Sequence, residues 1–397
     1  DSRADFYRAE ALLRARNNSE EDNTSNAGDD PPHLVRTGIR PHAPDPRPAV
    51  PSFRIGSRLV GRAAPVYVIA EAGVNHDGDL AVARDLVAAA AAAGADAVKF
   101  QVFSADRLVT RRAPSADYQR LAGQPDDQFA MLARLALKPD HFAALADDAR
   151  ARNIDFLATP FSLPDHQFLL SLRVPAVKLA STDIGNAPLL DAAVQTGLPV
   201  IASPGAADLD EIQAAVRRFD RPAAGPLALL HCVSSYPTPD DQANLAAIAT
   251  LADLFHCVVG FSDHTQSVAT GACAAAAGAR ILEKHLTLDR RRAGPDHAFS
   301  LEPHDMTEYV RLIRQAEIML GDGQIRVTDA QREVRRLARG SVVAAVDIPA
   351  SRTIRRDMLT VKRPGTGISP LEIETLVGRC ARRTIPADTL LNWDDIQ

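Results

Sequence analysis

Cysteine is scarce: the chain holds Cys232, Cys257, Cys273 and Cys380, and no two of them form a CxxC pair. A disulfide framework and a zinc knuckle both need spaced thiols, so a reduced, cytoplasmic protein is expected. Long apolar runs are missing too. The most apolar stretch, around Val87 to Gly94, is mostly alanine and too short to span a bilayer, and no secretory hydrophobic segment stands near residue 1. No membrane partner is expected. Nor is there a basic surplus, because 45 Lys and Arg against 50 Asp and Glu leave a net charge of −5. That argues against nucleic acid, whose phosphates need cations, though not against a local basic pocket for one small anion. No GxGxxG follows the first strand candidate and no GxSxG elbow occurs anywhere, which sets aside a dinucleotide fold and a serine hydrolase.

What is present is ordinary in bulk. At 397 residues, 46% apolar and 24% charged, the chain fits a large barrel plus an accessory module. Residues 1–52 stand apart as an expected flexible extension, polar and acidic over Asn17–Asp30 and proline-dense over Pro41–Pro51, with one short amphipathic piece at Phe6–Arg16. From 53 to 325 short apolar runs alternate with longer amphipathic ones. Strands are expected at Val66–Glu71, Ala97–Gln101, Asp155–Thr159, Ala176–Ala180, Pro199–Ser203, Leu227–Cys232, Val258–Ser262 and Arg280–His285. Helices are expected between them at Leu80–Ala93, Pro139–Arg152, Ala187–Thr196, Ala207–Phe219, Gln242–Leu254 and Gln266–Ala277. Eight buried parallel strands with helical crossovers predict an α/β fold, a (β/α)8 TIM barrel, with a doubly wound sheet as runner-up. Gly94 and Gly278 are placed to end helices. Residues 326–339 read as a charged helical linker. Residues 340–397 read as a small, mostly β module with strands at Ser341–Val346, Thr360–Arg363 and Thr384–Ile385 and a brief helix at Leu371–Val377.

A barrel of this kind does its chemistry at the C-terminal strand ends. Those ends carry Glu71; Lys99 and Gln101; Thr159; Lys178, Ser181 and Asp183; Ser203; His231, Ser234 and Tyr236; Ser262, Asp263 and His264; and Glu283, Lys284 and His285. Any one of them alone reads as a solvated charge or a packing residue, but all eight ends are polar. Lys99 and Lys178 lie inside apolar strands, where an unpaired ammonium is costly, so a bound phosphate or carboxylate, or a carboxylate partner, is expected. His264 and His285 end adjacent strands, about 5 Å apart. Two imidazoles without a thiolate pair suit a divalent ion with open positions, Mn²⁺ or Mg²⁺, better than structural zinc.

The segments VIAEAGVNHDG (68–78), GADAVKFQ (94–101), ATPF (158–161), VKLAS (177–181), LLHCVSSYPTP (229–239), VGFSDHT (259–265), EKHLTLDR (283–290), GPDH (294–297) and SLEP (300–303) together resemble the sialic acid synthase family. VKRPGTGI (361–368) is similar to that family's antifreeze-like (SAF) module. The resemblance implies an enzyme, a transferase that condenses phosphoenolpyruvate with an open-chain N-acylated hexosamine, N-acetylmannosamine in the first reading, to give a sialic acid and phosphate. It implies that His264 and His285 hold the metal and that Lys99, Lys178, Ser181, Ser203 and Ser262 cradle phosphoenolpyruvate, with Thr159 and Ser234 at neighbouring strand ends. Glu71, Gln101, Tyr236 and Asp296 are implied around the sugar. Arg363 is implied to reach the acyl group from the partner subunit of a domain-swapped homodimer. Glu71 and Asp183 are the carboxylates expected to exchange protons with water, beside catalytic Lys99. Three positions depart from the family pattern: ASTD (180–183) replaces GSGE or GSGD, Ser203-Pro204-Gly205 replaces STG, and Ser234 replaces an asparagine. Alternatives are a legionaminic or pseudaminic acid synthase and a non-catalytic sugar-binding barrel.

Overall fold

The computed structural model describes residues 52–114 and 127–397. The expected N-terminal extension therefore lies, apart from Ser52, outside the described residues. The first described elements are two strands that the sequence reading did not anticipate, β1 (Phe53–Ile55) and β2 (Arg58–Val60), paired antiparallel around Gly56 at φ +55°. Eight parallel strands follow: β3 (Tyr67–Gly73), β4 (Ala97–Val102), β5 (Asp155–Pro160), β6 (Val177–Leu179), β7 (Val200–Ala202), β8 (Leu227–Cys232), β9 (Val258–Asp263) and β10 (Ile281–His285). Each matches an expected apolar run. Their order, β5-β4-β3-β10-β9-β8-β7-β6, brings the last strand beside the first, with Ile281 level with Tyr67 and His285 level with Glu71. β5 and β6 meet along the remaining seam without a paired ladder, so the barrel is nearly closed.

Successive strand residues face opposite sides, and both sides are buried. Ile69, Leu157, Ile201, Leu230 and Ile281 fill the inside. Val68, Phe100, Ala158, Leu179 and Leu282 pack outward with helix residues such as Leu86, Leu145 and Leu190. The hairpin joins the inner core through fully buried Ile55 and Val60. Arg58 reaches Asp96 and Asp155, both at 3.2 Å, where β4 and β5 begin, and the Tyr67 hydroxyl donates to Asp155 at 2.8 Å. The hairpin thus closes the N-terminal end, leaving the C-terminal end for the site.

The helix Leu80–Ala92 shows why local sequence suffices for the crossovers. Asp79 caps it by accepting from the Ala81 amide, and Gly94 leaves it at φ +81°. Pro139–Ala151 and Ala187–Gln195 also stand where expected, whereas Ala247–Phe255 starts later, after Asn244 at φ +45°. Helices Gln128–Leu135, Leu163–Ser171 and Pro303–Leu320 were not anticipated. The linker helix Asp329–Ala338 has a capping box of Thr328 and Gln331 and no buried residue. Beyond it, β11 (Ser341–Ala344) and β12 (Leu359–Lys362) pair antiparallel over a core that includes Val342, Ile354, Leu376 and Leu391. Ile385 adds one bridge to Ile348, and the brief helix is Ile373–Leu376.

Candidate active site

At the C-terminal end of the barrel a cavity of about 380 Å³, part of it open to solvent, is lined by Glu71, Lys99, Gln101, Thr159, Phe161, Lys178, Ala180, Ser181, Ser203, Tyr236, Ser262, His264, Glu283 and His285. Six of the eight barrel strands contribute from their own length and β7 through Ser203, the residue just after it, and each of these polar side chains projects on the inward parity of its strand. Small residues make the close packing possible. A side chain on Gly205 would come within 2.4 Å of the Ser234 hydroxyl and 2.7 Å of that of Ser181, and the Gly205 amide donates to Ser181 at 3.1 Å.

The floor of the cavity is an ion network. Lys99 Nζ stands 3.1 Å from Glu71, 3.4 Å from Glu283 and donates to Thr159 at 3.1 Å. Lys178 Nζ donates to Ser203 at 2.8 Å and lies 3.8 Å from Glu283, which also accepts from Ser262 at 3.1 Å. Gln101 donates to Glu71 at 3.3 Å. Two ammoniums thus share the carboxylate Glu283. Burial raises the Glu71 carboxyl to about 7, against the pull of Lys99 and with the charge of Glu283 adding to it. Burial opposes ionisation of Glu283 as well, yet Lys178 and Lys99 together hold it below the usual carboxylate range. One carboxyl is therefore ionised and the other is poised to exchange a proton near neutrality.

The two histidines sit side by side, ring centres 5.5 Å apart. His264 Nδ1 donates to the Val233 carbonyl at 2.9 Å; burial disfavours the charged imidazole, but Cys232 and this carbonyl outweigh it and raise His264 above the ordinary imidazole range. Burial, followed by the charges of His264 and Lys99, holds His285 well below the ordinary imidazole range, so it is neutral. Its buried Nδ1 has no hydrogen-bond partner and lies 3.8 Å from Asp296 Oδ2. Two adjacent imidazoles, one of them neutral and the other with Nδ1 committed to a carbonyl so that Nε2 is the nitrogen left for a ligand, fit a divalent ion. No cluster of three or more metal-ligating side chains occurs among the described residues, so such an ion would keep positions open for water and substrate. Tyr236 (4.3 Å from the ring of His264) and Phe299 (5.0 Å from that of His285) wall the pair with aromatic surface.

Of the fifteen residues given a catalytic, binding or metal role from the sequence, eleven line this cavity and four do not. Asp183, expected to act on water, is instead tied to its own turn, accepting from Asn186 at 2.9 Å and from Thr182 at 3.3 Å. The cause is local: Asn186 caps the next helix and holds the carboxylate there. Ser234 lies behind the lining, against Ser181 across Gly205. Asp296 comes to the same spot as Glu71 and Gln101, the three converging around Gly73 (φ +53°), and burial raises its carboxyl to about 6. Arg363 is exposed on the C-terminal module. Two further lining residues are Glu283, which the sequence places at its strand end without a role, and Phe161, which it does not single out. For Glu283 the signal was there: it stands two residues before His285 on one strand and shares its face.

The fold and site define a TIM barrel of the enzyme type, whose polar strand ends set two buried lysines beside a pair of imidazoles. Residues 86–325 match the NeuB family and residues 339–397 the SAF domain. The chain is 39% identical over 347 residues to the N,N'-diacetyllegionaminic acid synthase of Legionella pneumophila, covering 86% of this chain and 98% of that relative. It is 33% identical to the human N-acetylneuraminate-9-phosphate synthase, over 83% and 92% of the two chains. The crystal structure of the N-acetylneuraminic acid synthetase of Leptospira borgpetersenii in complex with citrate superposes with a TM-score of 0.65 at 35% identity, over 72% and 95%. The chain belongs to the NeuB family and is a sugar-acid synthase, a phosphoenolpyruvate-dependent condensing enzyme. No helix among the described residues is long and apolar enough to cross a membrane.

Proposed function

We propose that this chain joins phosphoenolpyruvate to the open-chain aldehyde of an N-acylated hexosamine, releasing phosphate and a nine-carbon keto acid. The observation that carries this reading is the pair of buried lysines, Lys99 and Lys178, bridged by Glu283 within one cavity that also holds two adjacent imidazoles. Lys178, Ser203 and Ser181 receive the phosphate, and Lys99 with Thr159 the carboxylate side. His264 and His285 would hold a divalent ion, Mn²⁺ or Mg²⁺, which supplies Lewis-acid polarisation of the aldehyde. The methylene carbon of phosphoenolpyruvate then forms the new C–C bond, water adds at C2, and phosphate leaves. Glu71, with its carboxyl near 7, accepts the proton of that water, a general-base role worth about 10²- to 10⁴-fold. Gln101 and Asp296 converge with Glu71 around Gly73, in position to orient the acceptor hydroxyls.

For the acceptor, we favour a 2,4-diacetamido-2,4,6-trideoxyhexose over the N-acetylmannosamine of the sequence reading. The identity to a legionaminic acid synthase supports this choice, as does the aromatic wall of Tyr236 and Phe299, which suits a deoxygenated sugar end. Among the described lining residues the lysines are Lys99 and Lys178, both facing Glu283, so none remains for a sugar phosphate. Phosphate release should be measured with N-acetylmannosamine, its 6-phosphate, mannose and diacetamido-trideoxyhexoses. The highest kcat/KM is expected with a diacetamido-trideoxyhexose, and a higher value with the 6-phosphate would overturn this choice. We further propose a homodimer in which Arg363 of each chain completes the other's site. The linker supports it: Val334 and Leu337 are exposed on an amphipathic helix with no covered face, and Ile318, Met319 and Ile325 precede it fully or largely exposed.

A further inference from the structure

On the far side of the barrel wall from the cavity, β9 and β10 carry a second ion pair that nothing in the mechanism uses. Ser262 and Glu283 point inward, so Asp263 and Lys284, level with each other across the ladder, point outward into the packing against the helix Pro303–Leu320. Both are 1% exposed. Lys284 Nζ lies 3.0 Å from Asp263 Oδ2, donates to the Thr265 carbonyl at 2.5 Å and to its hydroxyl at 3.3 Å, and sits over the ring of Tyr309 at 5.5 Å. Asp263 Oδ1 in turn accepts from the Thr265 amide at 2.9 Å and hydroxyl at 2.8 Å. The residue between Asp263 and Thr265 is His264, and the residue after Lys284 is His285. One ammonium therefore grips both neighbours of the first imidazole from the backbone position next to the second.

Packing alone does not call for this arrangement. A buried ion pair is desolvated at high cost, and well-packed apolar residues of similar volume often serve stability equally well or better. Its bonds span the two strands only at the level of the histidines, so what they fix is the placement of one imidazole relative to the other. We propose that Lys284 and Asp263 are positioning residues that set the spacing of His264 and His285 for a divalent cation. The inference rests on the proposed metal role of that pair. Residues outside the ligand set that orient metal-binding histidines typically change metal affinity by about 10- to 100-fold when lost.

Mn²⁺ alone serves as the probe, titrated calorimetrically into full-length chain freed of metal. Lys284→Met leaves a buried carboxylate unpaired and can unfold the chain, so the paired variant Asp263→Leu with Lys284→Met, neutral and apolar, is made beside it. The paired variant should unfold cooperatively, as the wild type does. It should bind Mn²⁺ about 10- to 100-fold more weakly while its KM for phosphoenolpyruvate at saturating Mn²⁺ stays within about twofold, because Asp263 and Lys284 face away from the cavity that holds Lys99 and Lys178. A purely structural pair would shift thermal stability and leave Mn²⁺ affinity alone, and wild-type Mn²⁺ affinity in the folded paired variant overturns the inference. No Mn²⁺ uptake by the wild type overturns the metal reading and this inference with it.

Discussion

Among the site residues, Glu71 is the one whose protonation state matters most. It is buried, faces Lys99 and Glu283, and its carboxyl is raised to about 7. As a base it must be ionised, so kcat/KM should rise with pH through about 7, and the residual activity of Glu71→Gln should lack that limb. The same shift has a stability sign. A carboxyl held more tightly protonated in the folded chain contributes stability at low pH that is lost as pH rises through its folded value. Thermal unfolding of Glu71→Gln should therefore gain on the wild type as pH is raised from 5 to 8, and a difference that does not move with pH would show that Glu71 carries no raised carboxyl. Lys178 gives a complementary test. Lys178→Met should raise the phosphoenolpyruvate KM at least tenfold and the acceptor KM far less, and equal rises in both would detach Lys178 from the phosphate.

Elements explain what could be read in advance. The eight strands were legible because a strand buried on both faces is a continuous apolar run, and a polar residue at its end is conspicuous. That same double burial hides parity, so Glu283, Lys284 and His285 read as three consecutive polar residues. Only the period of two sorts them into a cavity pair and an outward lysine. Asp183 does follow a strand end, but its carboxylate is drawn to the helix cap Asn186, a contact that depends on the turn's geometry and so is not legible in sequence. The hairpin β1–β2 escaped because three-residue strands carry too little pattern. Its role predicts a separable phenotype. Ile55→Ala and Val60→Ala empty fully buried positions at the closed end, so each should lower unfolding free energy, by about 2–5 kcal/mol for the isoleucine, with kcat within a few-fold of wild type. Denaturant titration with parallel kinetics checks this, and loss of turnover without loss of stability would contradict the separation of floor and site.

At the scale of the whole molecule, barrel and C-terminal module were both readable, the first from its rhythm of strands and helices and the second from its change of character after Gly340. The role proposed for Arg363, exposed on the module, is a property of two chains rather than one. If the module caps its partner, Arg363→Ala and His264→Ala, each inactive alone, should recover part of the activity in verified mixed dimers, since one of the two sites then has both residues intact. Mixed dimers as inactive as their parents would place Arg363 in cis or outside catalysis. The central claim, that two buried lysines and two imidazoles at the mouth of this barrel couple phosphoenolpyruvate to a sugar aldehyde, has one direct test. Inorganic phosphate and the keto acid are measured together from phosphoenolpyruvate and Mn²⁺, with and without the diacetamido-trideoxyhexose. The account predicts no phosphate without the sugar and, with it, one phosphate for each keto acid formed. Phosphate release that ignores the sugar, or none with any N-acylated hexosamine, would contradict it.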